Sequence, residues 1–369
     1  MEISLQSYKL LELIAICGEL PYDGLHLLPF GPAYLKKLLT FLHKEKYITN
    51  YCSDGLRGYR LTLKSKKILL DHNPQRFSFY LTGNAETNVF RSDIRRRHRI
   101  QQIAQVQLIM HAAGIEIFRD QKPALFDLDS LPLAEDEIDY PVFYDSRELK
   151  AMGMAHTKIG NSRAVGILLT PDTIYIVYNT GESILKWMRN SEKRMAAQME
   201  YHFCLGPYFR CFAQHKLKGL MLGKDMDCII PLLNSEGGYR DKWFRIDDTY
   251  TNFSFIPVSK QGIFLLSLLC RPDIQKHLNG LLQTDFCSLD QESTIDCDAV
   301  TAAGIPVLFC YDCDLYRISR FCKGTAFSKG SCGAVVCFDF QEAALKKYDR
   351  NLKVEYQLSL EGVKQAYGL

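Results

Sequence analysis

The chain has 369 residues, 47% hydrophobic and 24% charged, which is the composition of a folded globular protein with room for two or three domains. Its formal net charge of +3 hides an uneven spread: residues 1–100 carry 16 Lys and Arg against 9 Asp and Glu, and the rest carry 29 against 33. A basic head on a mildly acidic body points to a polyanionic partner for the head and away from a membrane-spanning protein, since no stretch of about 20 uncharged apolar residues occurs.

The apolar run Leu10–Cys17 is short, is broken by Glu12 and lacks the basic start and cleavage site of a leader. Thirteen cysteines at irregular spacing fit reduced thiols, so a cytoplasmic location is expected. Tyr8, Leu11, Ile14 or Ala15, and Cys17 recur at helical spacing and predict a first helix over residues 6–18, ended by Gly18. Pro21-Tyr22-Asp23 restarts the chain into a short second helix over Gly24–Leu28, and Pro29-Phe30-Gly31-Pro32 is a turn.

A third helix is predicted over Ala33–Lys46. Leu35, Leu38, Leu39 and Leu42 form one apolar stripe, and Ala33, Lys36, Lys37, Thr40 and Lys44 fall on the opposite side. Small, hydroxylic and cationic residues opposite an apolar stripe suit a helix lying in a DNA groove. A plain solvated lysine face is the competing explanation. Tyr47–Ser53 then alternates as a strand, Asp54-Gly55 is a hairpin turn, and Gly58–Thr62 is the returning strand. Leu63–Leu70 starts another helix.

The run from Leu35 to Thr62, LKKLLTFLHKEKYI and then GLRGYRLT, resembles the winged-helix family. That family typically shows a leucine-rich third helix ending in a Glu-Lys or Glu-Gly pair, followed by an aromatic-Arg-Leu-Thr wing strand. The resemblance implies a DNA-binding domain over residues 1–72, with Arg57 near the wing tip and Arg60 on the wing strand meeting phosphates. Winged helices also serve as protein–protein modules, and the basic third helix argues modestly for DNA.

Residues 73–94 are polar, with Asn73-Pro74 and Gly83-Asn84, and are expected to be a linker with one short strand at Phe77–Leu81. A dense basic cluster follows: Arg91, Arg95, Arg96, Arg97, His98 and Arg99. It opens a long helix with Ile100, Ile103, Val106, Gln107 and Met110 at helical spacing and Gly114 as its stop. Two partners are open for these arginines. One is the acidic segment Asp127–Asp139, and the other is DNA phosphate, extending the winged-helix footprint along the duplex.

From residue 95 to the end the pattern is α/β or α+β. Strands are predicted at Ala164–Leu169, Thr173–Tyr178, Gly219–Leu222, Phe253–Val258, Ile305–Tyr311, Ala334–Asp339 and Val354–Leu360. Helices are predicted at Glu192–Phe203, Asp225–Leu233, around Pro272, and at Glu342–Tyr348. The order winged helix, linker, RRHRIQQIAQVQLIMHAAG and AVGILLTPDTIYIVYNTG resembles the replication-relaxation family of plasmids and integrative mobile elements. That resemblance implies a DNA-binding accessory factor of replication or transfer, with a second domain related to a degenerate restriction-endonuclease core.

Such a core needs an acidic residue on one strand and an acidic-x-Lys on the next to hold a divalent metal. The hairpin offers Arg163–Ile167 and Ile176–Thr180, with no carboxylate, so no catalytic residue and no cofactor are expected. A phosphate-cradling glycine loop and a nucleophile elbow are likewise missing from the sequence. Cys310 and Cys313 form one CxxC, followed by Cys322, Cys332 and Cys337. Four of these could hold zinc, but one knuckle at strand ends also describes buried structural thiols. The expected function is sequence-specific binding of double-stranded DNA in replication, transfer or transcription regulation, with the α/β domain binding a protein partner or self-associating. The alternatives are a metal-dependent nuclease targeted by the winged helix and a ligand-sensing transcription regulator.

Overall fold

The computed structural model describes residues 3–83, 86–89, 93–126, 138–151, 162–206, 208–238, 242–287, 295–327 and 332–369. The described residues divide into two compact units, one holding those up to 151 and the other those from 162 onward. Both mix helices and strands, as the sequence pattern predicts.

In the first unit, α1 (Leu5–Cys17) is the central helix, with every residue from Leu10 to Cys17 buried. A helix apolar on all sides belongs inside a domain. Ser4 caps its start by accepting from the Ser7 amide, and Gly18 ends it at φ +76°. A Cβ at Gly18 would also lie 2.7 Å from the Thr87 carbonyl oxygen. The chain continues through β1 (Leu20–Pro21), a 3₁₀ turn over Tyr22–Leu27, α2 (Pro32–Lys44), β2 (Ile48–Ser53) and β3 (Leu56–Leu61). The three strands pair antiparallel in the order β1-β3-β2. Asp54 and Gly55, at φ 51° and 79°, make the two-residue turn expected of a tight hairpin.

Next come α3 (Leu63–His72), α4 (Pro74–Leu81) and α5 (Ile94–Ala112). The linker and short strand expected over 73–94 are corrected here. Asn73 caps α4 by accepting from the Arg76 amide, Pro74 takes the first helical position, and Phe77, Tyr80 and Leu81 are buried. Asn-Pro reads as a loop in isolation, yet it is also a good helix start, because proline's missing N–H has no intrahelical partner there anyway. Residues 86–89 fold back onto α1, where Thr87 and Asn88 donate to the Ala15 carbonyl. The boundaries expected at residues 72 and 94 therefore do not separate domains. The unit is completed by β4 (Val142–Asp145), bridged in parallel to Glu116, and α6 (Ser146–Ala151).

In the second unit, β5 (Gly166–Leu169) and β6 (Thr173–Gly181) form the predicted hairpin. After α7 (Arg189–Glu200), a π-turn over Tyr201–Leu205 and α8 (Phe209–Phe212), β7 (Lys216–Gly223) returns parallel to β6. A short helix α9 (Ile229–Asn234) leads to β8 (Phe253–Pro257), parallel to β7. Residues 173–180 of β6 are all buried, as befits a strand covered on both faces. Helices α10 (Lys260–Leu269) and α11 (Pro272–Thr284) divide at Pro272, as predicted.

A further sheet holds β9 (Ala299–Val300), β10 (Pro306–Phe309), β11 (Ala334–Phe338) and β12 (Lys353–Leu358) in the order β12-β11-β10-β9. Strands β10, β11 and β12 run parallel through the crossover helices α12 (Leu315–Phe327) and α13 (Asp339–Tyr348), and α14 (Leu360–Tyr367) ends the chain.

Candidate nucleic-acid interface

Helix α2 starts at Pro32 behind Gly31 and buries Leu35, Leu38, Leu39 and Leu42. Its outer side carries Ala33, Lys36, Lys37, Thr40 and Lys44, all exposed. The Thr40 hydroxyl donates to the Lys36 carbonyl at 2.8 Å. Lys36, Lys37 and Lys44 make no ion pair with any described residue. A row of ammonium groups without a local counter-charge costs little in water and is available to an external anion. Beside this helix the hairpin β2–β3 carries Arg57, which is exposed.

The remaining arginines divide. Arg95 and Arg96 are exposed at the start of α5, behind Asp93, whose carboxylate accepts from the Arg96 amide. Arg99 is half-buried. Arg60 and Arg97, expected to face phosphate, instead point inward: they are 6% and 0% exposed, and both bind the carboxylate of Glu19. Glu19 accepts from Arg97 Nη2 at 2.6 Å, from Arg60 Nε at 2.9 Å and from Gln101 Nε2 at 2.7 Å. The Tyr51 ring lies beneath both guanidinium groups, with centroid distances of 4.3 Å to Arg97 and 5.0 Å to Arg60.

Burial alone would raise the Glu19 carboxyl, but the hydrogen bonds from Arg97, Arg60 and Gln101 outweigh it and hold the group below its ordinary value. Gly58 makes room for this carboxylate, since a Cβ there would lie 2.5 Å from Glu19 Cγ and Oε1. Arg60 and Arg97 are thus removed from the candidate contact surface, because a guanidinium enclosed by a carboxylate and a ring cannot reach a phosphate.

The sequence reading missed Glu19 and Gln101. The available signal was the spacing Arg97, Gln101, Ala104, Leu108, which is a single helical stripe once arginine and glutamine are admitted to it. Arg91 and residues 127–137 lie outside the described residues, and with them most of the acidic segment Asp127–Asp139 that stood open as a partner for the arginine cluster; Asp139 is exposed.

In the second unit Tyr178, Asn179 and Thr180, the positions at which a nuclease reading of the sequence needed an acidic-x-Lys, are buried in β6. Glu192 on α7 is fully buried and accepts from Ser162 Oγ at 2.6 Å, the Arg163 amide at 2.8 Å and Tyr178 Oη at 2.9 Å. All three donors are neutral, and burial raises the Glu192 carboxyl, which suits a structural acid. Among the described residues no three His, Cys, Asp or Glu side chains are grouped to hold a metal. Cys310, Cys313, Cys322 and Cys337 are buried, and Cys332 is exposed. The hydrogen bond with Cys337, together with burial, raises the Cys310 thiol well above its ordinary value. Among the described residues no helix is long and apolar enough to cross a membrane. No protein-family model, curated protein or solved structure matches this chain.

Proposed function

We propose that the first unit binds double-stranded DNA as a winged helix, with α2 in the major groove and the β2–β3 hairpin as the wing on the phosphates. The reading is supported by the element order, in which a helix, a short strand, a turn, an amphipathic helix and a hairpin follow one another, with β1 pairing on β3. The observation that carries it is the outer face of α2, where Lys36, Lys37 and Lys44 stand exposed without an ion pair among the described residues. The second unit then serves for a protein partner or self-association, and the whole as an accessory or regulatory factor of a mobile element, a role resting on the replication-relaxation resemblance.

Fluorescence anisotropy of the full chain on duplex DNA, titrated with salt, tests the reading. Lys37→Ala and Lys44→Ala should each weaken binding without unfolding the protein. If each contacts a phosphate, each should lower the salt slope by about 0.9. Unchanged affinity in both variants overturns the groove assignment. Magnesium-dependent cleavage in the same samples would favour the nuclease, and a thermal shift with a metabolite would favour the ligand-sensing regulator.

A further inference from the structure

We propose that Arg97 and Gln101 of α5, gathered on Glu19, fix the position of the wing turn, so that Arg57 and the exposed Arg95 and Arg96 meet DNA phosphates as one preformed surface. The ligand in this proposal rests on the DNA-binding reading above; the clamp itself does not.

A two-residue hairpin turn pairs its flanking residues with each other and normally leaves the second lone pair of each carbonyl to water. Here those lone pairs are taken by one helix. Arg97 Nη1 donates to the Ser53 carbonyl and Nη2 to the Leu56 carbonyl, both at 3.3 Å. Gln101 Nε2 donates to the Arg57 carbonyl at 3.2 Å. These three residues bracket Asp54-Gly55, so the turn is held on both sides. The same two side chains are locked by Glu19, with Arg97 Nη2 at 2.6 Å and Gln101 Nε2 at 2.7 Å from Oε1. Arg97 also lies over the Tyr51 ring of β2.

If the only task were to neutralise Glu19, the Arg60 guanidinium would suffice, since it binds the carboxylate through two nitrogens. The additional donors, Arg97 and Gln101, reach the wing backbone as well as the carboxylate. Because Arg95 and Arg96 stand on the same first turns of α5 as Arg97, their helix and the wing tip are tied into one body. Ordering a loop on binding costs affinity, so a wing fixed beforehand binds phosphate more tightly than a free one.

The test uses the full chain carrying Gln101→Met, which keeps the side-chain length and removes the donor. Arg97→Lys is the second variant; it keeps the charge opposite Glu19 but cannot fork to two carbonyls. Hydrogen exchange at amides 53–58 should quicken by roughly tenfold in either variant, in line with the loss of one or two hydrogen bonds, while α2 exchanges as before. In the wild type, Arg57→Gln should lower the salt slope of DNA binding by about 0.9; added to Gln101→Met it should lower it no further.

That non-additivity is the signature of positioning, because a merely structural defect would leave the Arg57 contribution intact. Unchanged wing exchange in a folded variant overturns the clamp. Fully additive slopes overturn its link to phosphate. If the wild type binds no DNA, the DNA-binding reading fails and the phosphate role with it, whereas the exchange measurement still decides the clamp.

Discussion

Replacing Glu19 with glutamine removes one negative charge from beneath two guanidinium groups while keeping the side chain's size. The carboxylate is 1% exposed, and the side chains of its partners Arg60 and Arg97 are 7% and 0% exposed. Removing one member of a buried ion pair costs about 3–5 kcal/mol, because the remaining charge stays buried and unpaired. With a urea m-value of about 2 kcal/mol/M, the unfolding midpoint should fall by about 2 M.

Far-UV circular dichroism is the suitable readout, since both tryptophans, Trp187 and Trp243, belong to the second unit. The pH dependence gives an independent check. Glu19 has a folded-state pKa held below its ordinary value of 4.5, so its stabilisation is fully present above that value and is lost as pH falls through the lower folded pKa. The glutamine variant should lack this acid limb. An unchanged midpoint, or the same acid limb in the variant, would refute the reasoning.

Gly58→Ala should destabilise by about 1–3 kcal/mol in the same urea assay, because its Cβ would meet Glu19 at 2.5 Å and the buried cluster cannot retreat. Asp312, in the turn after β10, should make the protein less stable toward neutral pH. Burial and the neighbouring Asp314 push its carboxyl up to about 7, so folding favours the protonated form, and that advantage is lost as pH rises from the unfolded carboxylate value to about 7. Asp312→Asn should therefore raise the melting temperature at pH 8 more than at pH 5, and an equal effect at both would contradict this. A thiol reagent should modify the exposed Cys52, Cys287 and Cys332 in the native protein, and the buried Cys17, Cys270, Cys310 and Cys313 only on unfolding, because burial raises the Cys17, Cys270 and Cys313 thiols, and the Cys337 hydrogen bond with burial raises Cys310; peptide mapping after a short pulse decides it.

The sequence by itself determined the elements whose signal is local. The leucine stripe of α2 has one helical period, and its polar side lies outward as that period requires. The Asp54-Gly55 turn, the β5–β6 hairpin and the break at Pro272 follow from residues that restrict their own backbone. The tertiary structure decided everything that depends on what lies opposite a side chain. Asn73-Pro74 became a helix start because Phe77, Tyr80 and Leu81 found a core against α1.

The arginine cluster shows the same limit most directly. Arg95, Arg96 and Arg97 are indistinguishable in composition, and successive residues on a helix point about 100° apart. Only the fold turns Arg97 toward Glu19 and leaves its two neighbours in solvent. Arg60 likewise looked like a wing cation, but β3 pairs on both edges and its inner face is closed by α5 and Tyr51. Charge is a property of the residue. Whether that charge meets a buried carboxylate or an external phosphate is set by contacts between segments 41 and 78 residues apart in the chain, which no local pattern encodes.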